Sequence, residues 1–132
     1  MNYTQQLRDH HLKVTPQRLE IAQALEHYGH LTIDTLYTIL KKKFDSISLA
    51  TIYKNINLMT QNAFIQEVKI PQAKSVYELT KASHSHLVCD KCHQVEDITL
   101  DLSMLVIQAS KTSEFQIEKT SLVFNGICSK CQ

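Results

Sequence analysis

The stretch "SLATIYKNINLMTQNAFIQEVKIPQAKSVYELT", Ser48 to Thr80, changes its period partway along. In its first half Leu49, Ile52, Ile56 and Met59 recur at spacings of three, four and three, which is one stripe of a helix. Ser48 stands just before that stripe as an N-cap candidate. From Phe64 onward the period drops to two. Phe64, Val68 and Ile70 share one strand face, and Glu67 and Lys69 share the other. After a turn at Pro71-Gln72-Ala73-Lys74, alternation resumes at Ser75, Tyr77 and Leu79. The stretch therefore predicts a helix followed directly by a β-hairpin. The outer face of the helix is Ala50, Thr51, Lys54 and Asn57, with Tyr53 and Asn55 on the flanks. That face is small, polar and singly charged. It can enter a DNA major groove without obstruction, and it can equally be an ordinary solvated face.

The residues before this stretch weigh on that choice. In "TPQRLEIAQALEH", Thr15 is an N-cap candidate and Pro16 fits the first helical position, where its missing N–H costs nothing. Leu19, Ala22 and Leu25 recur at spacing three, with Ile21 flanking, and Gly29 ends the segment. In "TIDTLYTILKKKF", Ile33, Leu36, Tyr37 and Leu40 form an apolar face. Lys41, Lys42 and Lys43 fall in its last turn, where the helix dipole favours cations. Three helices and then a hairpin is the order of a winged helix-turn-helix module, with the third helix as the reader. We expect this module over residues 1–82.

Residues 83–132 read differently. "HLVC" and "QVEDI" predict short strands around a C-x-x-C pair, and Asp101 is a cap candidate for a helix reaching about Lys111. "FQIEKTSLVFNGIC" is β-prone and leads into a second C-x-x-C. We expect a small α/β domain. About 50 residues bury little core, so a zinc staple and dimerisation are the expected supports. The fold class is α+β.

Composition narrows the function. Of the 132 residues, 43% are apolar, so a packed core is feasible, and two glycines and two prolines are too few for a turn-rich β-sandwich. No apolar run approaches the roughly 18–20 residues of a membrane span, and no apolar segment follows a basic one at the N-terminus. The expected location is the cytoplasm, with no membrane partner. Residues 1–82 hold ten Lys/Arg against seven Asp/Glu, while residues 83–132 hold four against six. The first part is mildly basic, which is compatible with nucleic-acid contact and does not by itself establish it. No H-E-x-x-H is present, and no H-x-E with a downstream P-C-x-x-C, so we expect no zinc enzyme.

Cys89, Cys92, Cys128 and Cys131 are the only cysteines, and all sit in the two C-x-x-C pairs. Redox disulfides and one closed tetrahedral zinc site are both open to them. Two pairs in one small domain fit one tetrahedron better. The stretch "SHSHLVCDKCHQVED", Ser83 to Asp97, adds further donors. His84 and His86 alternate along the expected strand and so face one side, while Asp97 falls on the neighbouring strand. Taken singly, His30 and Glu78 read as a surface histidine and a solvated carboxylate.

Four motifs together give more. "TPQR" (Thr15–Arg18), "SLATIYKNI" (Ser48–Ile56), "HSHLVCDKC" (His84–Cys92) and "GICSKC" (Gly126–Cys131), in this order and spacing, resemble the ferric uptake regulator family of bacterial metal- and peroxide-responsive transcription factors. The resemblance runs from about Leu12 to Cys131. It implies a homodimer with an N-terminal winged helix and a C-terminal dimerisation domain, binding A/T-rich inverted-repeat operators as a metal-loaded repressor. It implies structural Zn(II) on Cys89, Cys92, Cys128 and Cys131. It also implies regulatory Fe(II) or Mn(II) on His30, Glu78, His84, His86 and Asp97, a ligand set suited to such ions. At the matching positions Ala50, Tyr53 and Lys54 meet the major groove, and Lys13 the minor groove. Arg18 and Lys54 are phosphate candidates, and Thr51 lies on the same outer face.

Two departures from the family pattern matter. Ser85 and Thr120 occupy positions where many members carry ligands of a further metal site, so that site is expected to be absent. Asp97 matches the peroxide-sensing branch, whereas Glu78 is commoner among iron sensors. The resemblance leans to peroxide sensing through iron-dependent histidine oxidation, with iron sensing as the alternative.

Overall fold

The computed structural model describes residues 2–132 and divides into two compact units, Met1–Lys81 and Ala82–Gln132. The first unit contains α1 (Tyr3–Asp9), α2 (Pro16–Tyr28), α3 (Ile33–Lys43), α4 (Leu49–Gln61), β1 (Ile65–Val68) and β2 (Val76–Leu79). Short polar side chains start the three main helices. Thr15, Thr32 and Ser48 accept hydrogen bonds from the backbone N–H of Arg18, Thr35 and Thr51 at 3.2, 3.2 and 3.1 Å. Each removes one of the unpaired donors that every helix start leaves. Gly29 ends α2 with φ of +83°, and its N–H donates to Leu25 O at 2.8 Å.

Apolar stripes of these helices meet in one core. Leu7, Ile21, Leu25, Leu36, Leu40, Ile52, Ile56, Met59 and Ile65 are fully buried in it. Two expectations change here. Ile21 lies at the centre of the α2 face rather than on its flank. Leu49 stays exposed, because as the first residue of α4 it projects past the end of the core.

The hairpin pairs β1 with β2 antiparallel, with Gln66 opposite Glu78 and Glu67 opposite Tyr77. Gln72, at φ of 60°, turns the chain between the strands. One feature had no periodic signature. Leu31 bridges Tyr77, with hydrogen bonds of 3.1 Å and 2.8 Å in the two directions. The segment between α2 and α3 thus becomes a third, one-residue edge of the wing, completing a winged helix.

The second unit contains β3 (Ser85–Cys89), β4 (Val95–Ile98), α5 (Ser103–Ser113) and β5 (Val123–Gly126). β3 is the central strand, antiparallel to β4 and parallel to β5. α5 begins two residues after Asp101, and Leu102, at the N-cap position, makes no side-chain cap bond. The carboxylate of Asp101, one residue earlier, accepts from the N–H of Ser103, the first residue of the helix, at 3.0 Å. Of the β-prone run after Glu114, only residues 123–126 pair as a strand. The described residues of this unit bury little: Ser85, His86, Val88 and Cys89.

Candidate metal centres and nucleic-acid interface

The parallel pairing of β3 and β5 explains how the two C-x-x-C motifs meet. Parallel strands end at the same edge of a sheet, and Cys89 lies opposite Gly126 there. Each motif follows its strand as a tight turn, and the Asp90 N–H donates to Gly126 O at 2.8 Å between them. The four sulfurs lie within 4.8 Å of one another, and Cys92 Sγ is 3.8 Å from Cys128 Sγ. A tetrahedron with zinc–sulfur bonds of about 2.3 Å has edges of about 3.8 Å, so the set fits zinc(II).

The backbone prepares part of that charge. The N–H groups of Cys128 and Cys92 donate to Cys89 Sγ at 3.4 and 3.5 Å. With the Cys128 contact the larger, they lower the Cys89 thiol to about 6. A hydrogen bond with the Cys128 sulfur, aided by desolvation, pushes the Cys131 thiol the other way, up to about 12. A dication is what allows four such sulfurs to be thiolates together.

The remaining donors occur as one group in each unit. In the first unit, Gly29 turns the chain and Leu31 docks on Tyr77, which carries His30 to the side of Glu78. His30 Nε2 is 2.9 Å from Glu78 Oε2, and Glu78 is only 1% exposed. The other oxygen, Oε1, accepts from Gln66 Nε2 at 2.7 Å. In the second unit, His84 and His86 do face one side of β3, and His86 pairs in register with Asp97 on β4. Their rings are 4.6 Å apart. Asp97 Oδ1 is 3.6 Å from His84 Nε2 and 3.5 Å from His86 Nε2. Imidazole nitrogens and carboxylate oxygens are suitable donors for iron(II), manganese(II) or zinc(II). His93 and Glu96 are exposed, while Ser85 is buried.

On the first unit, α4 presents Ala50, Tyr53, Lys54 and Asn57 to solvent, and Lys13 is exposed ahead of α2. Thr51 is half-buried, with Oγ1 2.9 Å from Ser48 Oγ at the helix start. Arg18 is engaged within the fold. Its Nε donates to Asn55 Oδ1 at 3.0 Å and its Nη1 to Lys13 O at 2.7 Å. Lys74 of the wing pairs with Asp34 at the start of α3. Gln66 carries no signal of its own in the sequence; the register of β1 on β2 sets it opposite Glu78.

A winged helix, accompanied by a four-cysteine cluster of a size that fits zinc and by imidazole–carboxylate donors, is the make-up of a metal-responsive DNA-binding regulator. The sequence signature of the ferric uptake regulator family matches residues 9–131, and the chain belongs to that family. It is 32% identical to the ferric uptake regulation protein of Bacillus subtilis, over 96% of this chain and 89% of that protein. The Vibrio cholerae ferric uptake regulator superposes with a TM-score of 0.78 at 30% identity, covering 96% of this chain and all of that one. The Campylobacter jejuni peroxide stress regulator does so with 0.75 at 34% identity, covering 99% and 100%.

Proposed function

We propose that this chain is a homodimeric repressor that binds an A/T-rich inverted repeat when its regulatory metal is bound, and that its signal is peroxide. The first unit is the reader and the second the dimerisation unit. Structural zinc is held by Cys89, Cys92, Cys128 and Cys131. Regulatory iron(II) or manganese(II) takes His30, Glu78, His84, His86 and Asp97. The observation that carries this reading is the donor chemistry of the two units. His30 and Glu78 belong to the reader, and His84, His86 and Asp97 to the other unit. A cation shared by both groups selects one arrangement of two readers, as matching two half-sites demands.

Peroxide sensing is favoured by Asp97 together with imidazoles in the ligand set. Iron(II) supplies the reduction of peroxide, which manganese(II) supports far less readily. One peroxide adds one oxygen to an imidazole and leaves water. An oxidised His30 or His84 is a poorer donor, and the readers are released. The test is mass spectrometry of tryptic peptides after a brief peroxide dose, in parallel with operator binding. A one-oxygen gain on His30 or His84 peptides, with iron and not with manganese, is expected. Operator binding that follows iron alone, with no histidine oxidised, identifies an iron gauge instead, as the B. subtilis relative's name suggests.

A further inference from the structure

Glu78 is a carboxylate almost wholly removed from water, at 1% exposure. Both its oxygens are engaged inside the first unit: Oε2 faces His30 Nε2 at 2.9 Å, and Oε1 takes the Gln66 amide at 2.7 Å. The Gln66 contact follows from hairpin register. Gln66 on β1 and Glu78 on β2 are directly opposed, so their side chains project from one face. Gln66 itself is half-buried, and its amide brings no charge to the pair.

We infer that Gln66 is a positioning residue for the regulatory metal: it holds Glu78 Oε1 so that Oε2 alone is turned toward His30 and toward any cation held there. The inference rests on the proposed ligand role of Glu78 and extends it to a residue that touches no metal. A carboxylate without that anchor can rotate about its terminal torsion and offer either oxygen, or both. A fixed one offers a single oxygen in one direction. Neutral donors behind a ligating carboxylate act in this way at metal sites generally, and their loss weakens metal binding by roughly 10–100-fold. Because Gln66 is neutral, it orients Glu78 without competing for it as a cation does.

The experiment uses full-length, zinc-loaded protein and manganese(II) as the probe. Affinity is measured by calorimetric titration, and the bound ion's spin-resonance line shape is recorded. Gln66→Met keeps the length and removes the donor. It is expected to weaken manganese(II) binding by roughly 10–100-fold and to alter the line shape, with zinc content unchanged and the melting of the manganese-free protein lowered but still cooperative, since a buried carboxylate loses one hydrogen bond. Gln66→Asn remains polar but is too short to reach Glu78. It is expected to behave likewise, and it decides the matter if the Met variant folds poorly. Wild-type affinity and line shape in a folded variant overturn the inference. His30→Ala and Glu78→Gln separate the role of Gln66 from the ligand role of Glu78. If these bind manganese(II) like the wild type, the ligand assignment itself is wrong. If they lose it while the folded Gln66 variants do not, only the role of Gln66 fails.

Discussion

Gly29 shows how much a single residue can set. Its φ of +83° lies where side chains with a Cβ are strained, yet open space surrounds the position a Cβ would take. Gly29→Ala therefore costs backbone conformation and not packing, about 1–3 kcal/mol. The consequence extends to the next residue, because His30 owes its place beside Glu78 to this turn. Denaturant unfolding of Gly29→Ala is expected to give a lowered midpoint at unchanged m-value. Manganese(II) affinity is expected to fall as well, since the His30–Glu78 pair at 2.9 Å is displaced. A variant that loses stability and keeps wild-type affinity would show that His30 is placed by Leu31 and Tyr77 alone.

Arg18 and Lys54 show how the packing of elements divides side chains of the same charge. Both are cations expected at the DNA surface, but the fold treats them differently. Lys54 points outward from α4, whereas Arg18 binds Asn55 on α4 and the carbonyl of Lys13 ahead of α2. Arg18 thus joins α4 to the segment that carries Lys13. Lys54→Ala is expected to reduce the salt slope of operator binding by about 0.9, as the loss of one phosphate contact does. Arg18→Gln is expected to lower folding stability by about 1–2 kcal/mol, because two hydrogen bonds from a charged group are lost. In a Lys13→Ala background it should weaken the operator complex little further. Affinities at several salt concentrations, with thermal melts of each variant, separate the two roles. An Arg18→Gln protein of wild-type stability and reduced salt slope would return Arg18 to the phosphate contacts.

At the scale of the whole molecule, the second unit cannot be supported by its own core. Its helix α5 buries no residue, and Met104 on it is 75% exposed, with Leu105, Ile107 and Phe115 also exposed. Zinc and a second copy of the chain are the supports such a unit needs. Leu105→Glu is expected to give a zinc-replete monomer in sedimentation velocity, with operator affinity lost. Cys128→Ser removes one of four clustered sulfurs that come from segments far apart in sequence. It is expected to release zinc and leave monomeric or unfolded second units. A dimeric, folded Cys128→Ser protein without zinc would show that the apolar surface suffices. No helix among the described residues is long and apolar enough to cross a membrane.

Helix stripes, caps and strand alternation are local properties, so they are readable without a partner. Thr15 and Ser48 start helices, Gly29 stops one, and the period change at Phe64 opens a hairpin, because each is decided within a few residues along the chain. Leu49 departs from this, because burial depends on what lies beyond the helix end and not on the stripe. The kinds of metal donor were also legible, since cysteine and histidine have few other reasons to cluster at such spacings. What only the tertiary structure decided is which distant segments meet. The parallel pairing of β3 with β5 brings the two cysteine motifs to one sheet edge. The bridge of Leu31 to Tyr77 sets His30 against Glu78, the register of β1 on β2 puts Gln66 behind it, and the packing of α2 near α4 engages Arg18. Register and strand direction are properties of pairs of segments, and a period read along one segment carries no information about its partner.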